Sequence, residues 1–360
     1  MSRMKSDQKL TRQNFLKKIG ASGILASVTL NNYAKNSQTY STPIKEVRMS
    51  TSDEKKFVPV MITPFHENGK IDFDGLSRLI DFYTAAGVKG FFANCLSSEM
   101  YHLDESERLA LTQHVVKRVN NALPVVATGS FGNTIEERVT FAKKIFDTGI
   151  NAVILISSHY AKKEESDAVL LNNIQRMLQL TGEIPMGLYE CPSPYKRIIT
   201  PEVFKALLDT KRMIYHKDTS IDKDKVGAKL ALIKDNPMEF YDAHTANAIF
   251  SLQRGAKGLS AISGNFYPEI LVWMCNHAND PARQTDVQWL QGELDHVEAI
   301  ISKVYPVSAK YFLNKRGLPL HPVCRSSKEI LTKEQKDSLD KVYARFLGWC
   351  DRLRVEAVSV

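Results

Sequence analysis

The stretch Ile184-Pro185-Met186-Gly187-Leu188-Tyr189-Glu190-Cys191-Pro192 decides the fold, together with Met213-Ile214-Tyr215-His216-Lys217-Asp218-Thr219-Ser220. Each is a brief apolar run that closes on a reactive polar group, a phenol at Tyr189 and an amine at Lys217, 28 residues apart. That separation is one strand-helix-strand step of an α/β barrel, whose catalytic groups come from the carboxyl ends of its strands. An amine placed there condenses with a ketone or aldehyde when desolvation or a neighbouring cation frees its lone pair. The resulting protonated imine is an electron sink, and a phenol within hydrogen-bond reach can shuttle protons for it. Taken singly, each residue has a plainer reading, a solvated lysine and a packed tyrosine.

Outward from this pair the pattern repeats. Short runs rich in Val, Ile and Phe occupy 57–62, 88–95, 124–129, 152–157, 184–189, 213–217, 239–243 and 258–262, eight in all. Runs apolar on both faces suit buried parallel strands. Between them lie helical segments with readable ends. Asp74 is placed to cap a helix carrying Leu76, Leu79, Ile80 and Tyr83 on one face and stopping at Gly87. The stretch 104–120 sets Leu109, Val116 and Val119 on a common face, Thr134 with Glu137 reads as a capping box before a helix that closes at Gly149, and Thr200-Pro201-Glu202 opens another. Eight such units predict an α/β fold, a (β/α)8 TIM barrel, over an open doubly wound sheet, and no G-x-G-x-x-G or Walker motif is present. Helical stretches at 293–303, 307–313 and 333–353 predict a carboxyl-terminal helical extension. The expected organisation is therefore a leader and linker over 1–56, barrel strands and helices over 57–265, and the last barrel helix with the extension over 266–360.

At 360 residues, with 43% hydrophobic and 24% charged content, burying a large core is no difficulty. The net charge of +8 is concentrated at one end. Residues 1–56 hold eleven Lys or Arg against four Asp or Glu, and the remainder is balanced to within one charge. A neutral body removes the electrostatic footprint of a nucleic-acid partner. The basic surplus precedes an apolar run over 19–30, too short to span a bilayer but suited to a signal peptide, and Thr11-Arg12-Gln13-Asn14-Phe15-Leu16-Lys17-Lys18 resembles a twin-arginine signal with Gln13 in place of the second arginine. Export to the periplasm is expected, with a cytoplasmic location as the alternative and no membrane association of the mature chain. The five cysteines, Cys95, Cys191, Cys275, Cys324 and Cys350, show neither zinc-ligand spacing nor a disulfide framework and read as small buried thiols.

From about residue 57 to 345 the chain resembles the dihydrodipicolinate synthase and N-acetylneuraminate lyase family of class I aldolase-like barrels. The opening Val58-Pro59-Val60-Met61-Ile62-Thr63-Pro64-Phe65 with Gly69 and Asp72, Tyr189 in Y-x-x-P, Lys217 in K-D, and Gly255-Ala256-Lys257-Gly258 through Asn265 carry the resemblance. It implies that Lys217 is the Schiff-base lysine, Tyr189 the catalytic tyrosine, and a small 2-oxo acid the substrate, with no metal or organic cofactor and a homo-oligomeric state, dimer or tetramer. It also implies substrate-binding roles for Ser97 and Ser98 in the loop Cys95-Leu96-Ser97-Ser98-Glu99, for Ser260 beyond the eighth strand, and for Tyr160, the last aromatic of Ser158-His159-Tyr160, which in the family reaches a neighbouring subunit's site.

The departures matter as much. Leu96 stands where the family has a hydroxyl that relays protons to the tyrosine, and Ser98 replaces a glycine, so either Ser98 or water substitutes or the proton path is changed. Pro194 stands where the synthases that bind aspartate semialdehyde carry an arginine, leaving Lys196 and Arg197 as cations on a shifted loop. His159 is read as a proton donor or ligand, or more plainly as a loop-end histidine. Glu190 and His216 alternate with the catalytic pair and are expected to face away from the barrel interior. Asp242, His244, Thr245 and Asn247 are candidates for contacting substrate hydroxyls. The sequence thus predicts a lyase, aldolase or dehydratase acting on a keto-deoxy or N-acylated sugar acid. Condensation of pyruvate with an aldehyde, or a non-catalytic barrel that binds acidic sugars, are the alternatives.

Overall fold

The computed structural model describes residues 54–359. The leader reading of residues 1–56 falls almost wholly outside them. Eight strands run parallel in one sheet: β1 (Lys56–Phe57), β2 (Phe91–Phe92), β3 (Val125–Thr128), β4 (Ala152–Ile156), β5 (Met186–Tyr189), β6 (Met213–Asp218), β7 (Glu239–Asp242) and β8 (Gly258–Leu259). Their order is β1-β8-β7-β6-β5-β4-β3-β2, and a parallel bridge from Val60 to Phe92 joins the two ends of the sheet, so the barrel closes. All eight lie within or beside the predicted runs. Closure depends on one glycine: a Cβ at Gly258 would meet the Lys56 carbonyl oxygen at 1.7 Å, so only glycine lets β8 approach β1.

Helices α1 (Phe73–Ala85), α2 (Glu105–Val119), α3 (Ile135–Phe146), α4 (Asp167–Leu180), α5 (Pro201–Leu208), α6 (Lys223–Leu232), α7 (Ala248–Gln253) and α8 (Pro268–His277) follow the strands in turn. The predicted caps at Thr134 and Thr200 form. The cap of α1 is Asp72 rather than Asp74: the Asp72 side chain accepts from the Gly75 N–H at 2.8 Å, while Asp74 sits inside the first turn. In α2 the buried face is Leu111, Thr112, Val115 and Val119, so the predicted stripe through Leu109 and Val116 is rotated toward solvent by part of a turn.

Two apolar layers result. Inside the barrel pack Val58, Val60, Phe92, Ile154, Ile156, Tyr189, Tyr215 and Tyr241, and a much larger outer layer fills the space between strands and helices. The predicted extension is present as α9 (Gln284–Ile301), α10 (Val307–Lys315) and α11 (Lys333–Leu353), which pack onto that outer layer. Among the described residues no helix is long and apolar enough to cross a membrane, and all five cysteines are free.

Candidate active site

Strand alternation sorts the side chains of β5 and β6. Tyr189 and Lys217 are register partners at the carboxyl ends of adjacent strands, and both face the barrel interior. The Lys217 ammonium lies 4.5 Å from the Tyr189 ring centroid and 5.9 Å from that of Phe92. Four lysines are buried among the described residues: Lys56, Lys217, Lys229 and Lys310. Three of them face a carboxylate. Lys56 meets Glu239 at 2.5 Å, Lys229 meets Asp218 at 2.7 Å, and Lys310 meets Glu99 at 3.5 Å. Lys217 instead sits among aromatic rings and the thiols of Cys95 and Cys191, and burial lowers its pKa from 10.5 to about 8. Near pH 7 that leaves roughly one molecule in ten with a free amine, against about one in three thousand for an ordinary lysine. Burial drives the Tyr189 phenol the other way, well above its usual value, so it rests protonated.

The residues between them point outward. Glu190, His216 and Asp218 are fully buried behind the strands, where Lys229 of α6 bridges Glu190 and Asp218. Burial disfavours the Lys229 ammonium, but the two carboxylates outweigh it and hold its pKa above the ordinary value. The imidazole of His216 packs between Phe204 and Phe240, on the opposite side of the strand from Lys217. Glu190, His216 and Asp218 are also spaced to hold a metal ion, all within 4.8 Å of one another, yet an internal ammonium already serves the two carboxylates. Glu190 also accepts from the backbone N–H groups of Ile199 and Thr219, which fixes the loops after both strands.

The loop after β2 forms a 3-10 turn over Leu96–Ser98, with Glu99 in the left-handed region at φ 59°. Ser98 takes this geometry without strain. Its hydroxyl lies 2.6 Å from the Ala93 carbonyl and 2.7 Å from that of Met61, and it accepts from the Cys95 N–H at 3.1 Å. It therefore locks the loop and has no hydroxyl to offer a substrate or to relay protons. Ser97 is the hydroxyl left to bind, and it lies beside the Tyr305 phenol. Tyr305 in turn accepts from Asn265 Nδ2 at 2.8 Å. Tyr305, just before α10, was not singled out by the sequence, because nothing local marks a residue more than 200 positions from the loop it meets.

Glu99 carries a second unforeseen link. Its Oε2 accepts from the N–H groups of Arg325 and Ser326, at 2.6 and 2.7 Å, tying the extension to the site loop. Tyr160 differs from expectation. It is packed in the outer layer of its own chain, 1% exposed, with the Arg138 guanidinium 5.3 Å from its ring, so it does not project toward a neighbouring subunit. The preceding residue, His159, instead meets Tyr101, another residue the sequence did not flag, with Nε2 2.9 Å from the hydroxyl. Ser260 is fully buried beyond β8, its hydroxyl facing Tyr215, one layer of side chains below Lys217.

At the mouth, Arg197 is a clamp rather than a free cation, donating to the carbonyls of Lys162 and Glu165 and pairing with Asp167 at 2.9 Å. Lys196 donates to the Thr219 carbonyl. His244 is held to a pKa of about 4, first by burial and then by the charges of Lys196 and Lys217. Thr245 and Asn247 are occupied structurally, bonding Glu298 at 2.9 Å and the Ile221 carbonyl at 3.0 Å. Asp242 accepts from the His244 N–H at 2.9 Å, and burial lifts its pKa to about 7.

A closed eightfold barrel with this face places the chain among the aldolase-like lyases and synthases. The chain belongs to the dihydrodipicolinate synthetase family, which it matches over residues 53–345. It is similar to the 4-hydroxy-tetrahydrodipicolinate synthase of Oceanobacillus iheyensis, 26% identical over 291 residues, covering 81% of this chain and 97% of that one. The synthase of the same name from Marinobacter nauticus is 25% identical over 260 residues, covering 72% of this chain and 84% of its own. In fold it resembles a prophage protein of the dihydrodipicolinic acid synthase family from E. coli K12, solved in complex with pyruvate, with a TM-score of 0.73 at 21% identity over 81% of this chain and 98% of that one.

Proposed function

We propose that this chain is an imine-forming lyase of 2-oxo acids in which Lys217 is the nucleophile, Tyr189 the proton shuttle and Ser97 the carboxylate donor. The observation that carries the reading is Lys217 itself, the buried lysine set against a phenol where the other three are set against carboxylates. Its free amine adds to the C2 carbonyl, and the carbinolamine hydroxyl leaves as water on taking a proton from Tyr189. The iminium then draws the electrons of the C3–C4 bond as the C4 hydroxyl loses its proton, releasing an aldehyde and leaving an enamine that is protonated to the 2-oxo acid imine. The imine is itself the electron sink, and the reading calls on no metal or organic cofactor.

The substrate reading is a keto-deoxy or N-acylated sugar acid. Pro194 removes the fork that would grip an aldehyde acid's carboxylate, and a single ammonium, Lys196, stands at the mouth beside His244. Condensation of pyruvate with an aldehyde is the second reading, favoured by the names of the relatives. Tyr160, packed within its own chain, lends no support to a site shared between subunits, and export rests on residues 11–30 alone. The test is to incubate the protein with pyruvate and borohydride and locate the adduct by mass. One reduced pyruvate on Lys217 is expected, and no adduct under saturating pyruvate overturns the proposal. A panel of sugar acids assayed for released aldehyde then separates lyase from synthase.

A further inference from the structure

The ladder between β5 and β6 stops at the catalytic pair, and one residue takes over from it. Tyr189 pairs with Lys217, and the Glu190 N–H still donates to the Lys217 carbonyl at 3.2 Å. In a regular parallel ladder the next bond would join the Thr219 N–H to the Glu190 carbonyl. Side chains take both ends of that bond here. The Thr219 N–H donates to Glu190 Oε2 at 2.9 Å, and the Glu190 carbonyl accepts from the Thr219 hydroxyl at 2.6 Å. Glu190 thus grips the backbone at Lys217 itself and at Thr219 beyond it, while its own neighbour in the chain is the phenol of Tyr189.

Glu190 is itself held from several sides. Its Oε1 accepts from the Ile199 N–H at 3.0 Å, which closes the neck of the loop 190–199, and from the Lys229 ammonium. Lys229 also donates to Asp218 Oδ2 at 2.7 Å, and Asp218 Oδ1 accepts from the Ser220 N–H and hydroxyl, both at 2.7 Å. Within the same loop Lys196 donates to the Thr219 carbonyl, so every polar group of Thr219 is served from residues 190–199. Glu190, Asp218 and Lys229 are fully buried, where the low local dielectric strengthens such bonds.

Building on the imine reading, we propose that Glu190 is the positioning residue of the imine site: through its bonds to Lys217 and Thr219 it sets the Lys217 amine against the Tyr189 phenol, and Lys229 anchors it. Glu190 touches no substrate, because it lies behind the strands while the reacting groups face the barrel interior. The relation it sets is the one the chemistry uses, since the carbinolamine hydroxyl leaves only as the phenol proton reaches it. Misplacing the amine by about 1 Å costs about 100-fold in rate. Holding the substrate carboxylate through Ser97 depends on the loop after β2 and not on this grip. Rate and affinity therefore separate.

The test needs only pyruvate. Timed borohydride quenches after rapid mixing give the rate of imine formation at saturation, the half-saturating concentration and, from the plateau of adduct mass, the fraction of competent sites. Glu190→Asp keeps a carboxylate facing Lys229 but withdraws it by one methylene from both N–H groups. It is expected to slow imine formation at saturating pyruvate by about 100-fold, with half-saturation and plateau within about two-fold of wild type. Thr219→Val removes the hydroxyl bond to the Glu190 carbonyl and leaves the buried charges intact; it is expected to slow the step by about 10-fold, again with the other two values unchanged. If Glu190→Asp yields no folded protein, Thr219→Val decides alone. A variant that forms the imine within about two-fold of the wild-type rate overturns the positioning role, as does a loss seen only as a lower plateau, the mark of a residue that merely stabilises the fold. Wild-type protein that traps no pyruvate overturns the imine reading, and the positioning role with it.

Discussion

Replacing the reactive amine with an apolar chain of similar length, Lys217→Met, is expected to abolish adduct formation and at the same time stabilise the fold. In the folded protein the Lys217 pKa falls from 10.5 to about 8 through burial. At about 1.4 kcal/mol per pKa unit this corresponds to about 3 kcal/mol of destabilisation at neutral pH. The sign follows from proton counting. Between about pH 8 and 10.5 the unfolded chain binds more protons at this position than the folded one, so wild-type stability rises with pH there. The penalty is full below pH 8 and is lost above 10.5. Methionine has no penalty to lose, so the advantage of the variant is about 3 kcal/mol at pH 7 and falls below about 1 kcal/mol at pH 10. Denaturant titrations or calorimetry at the two pH values measure it, and a shift of several degrees in Tm is expected at pH 7. A variant that is destabilised, or whose advantage is the same at both pH values, refutes the argument that Lys217 is held in a desolvated site.

Two further perturbations probe what surrounds the pair. Lys229→Met strands the carboxylates of Glu190 and Asp218 together in the interior, and should cost about 3–5 kcal/mol; calorimetry should find the loss smaller at pH 5 than at pH 8, because protonation relieves the repulsion. Glu99→Gln removes the charge facing Lys310 and weakens the acceptor for the Arg325 and Ser326 amides. A loss of about 1–3 kcal/mol is expected by denaturant titration, with a raised pyruvate concentration at half-maximal trapping.

The barrel was legible because each strand is a local event: an apolar run bounded by a cap or a glycine needs only neighbours to be recognised. Lys217 and Tyr189 were legible for the same reason, since strand ends are catalytic positions in this architecture. Asp72 and Asp74 show the resolution of such reading, as both are good caps and only the backbone angles choose between them. The site's other members were out of reach. Tyr305 meets Ser97, Arg325 meets Glu99, and Lys229 meets Glu190 across gaps that no local pattern signals. Tyr160 was misplaced because adjacent positions on a tight turn diverge, and it is His159 that turns toward the site. Cys191 is indeed a buried thiol.

The anchoring of Glu99 by the Arg325 and Ser326 amides, with Tyr305 beside Ser97, has a consequence for how this molecule can be taken apart or re-engineered. The barrel looks like a module that ends with α8, and a designer seeking a minimal scaffold would cut there. Such a cut would leave eight strands with an intact lysine and an unbraced floor for the substrate's carboxylate. The extension is therefore not a passenger: the border between it and the barrel runs through the reaction centre, and grafts or circular permutations that respect the centre must keep both sides of it together.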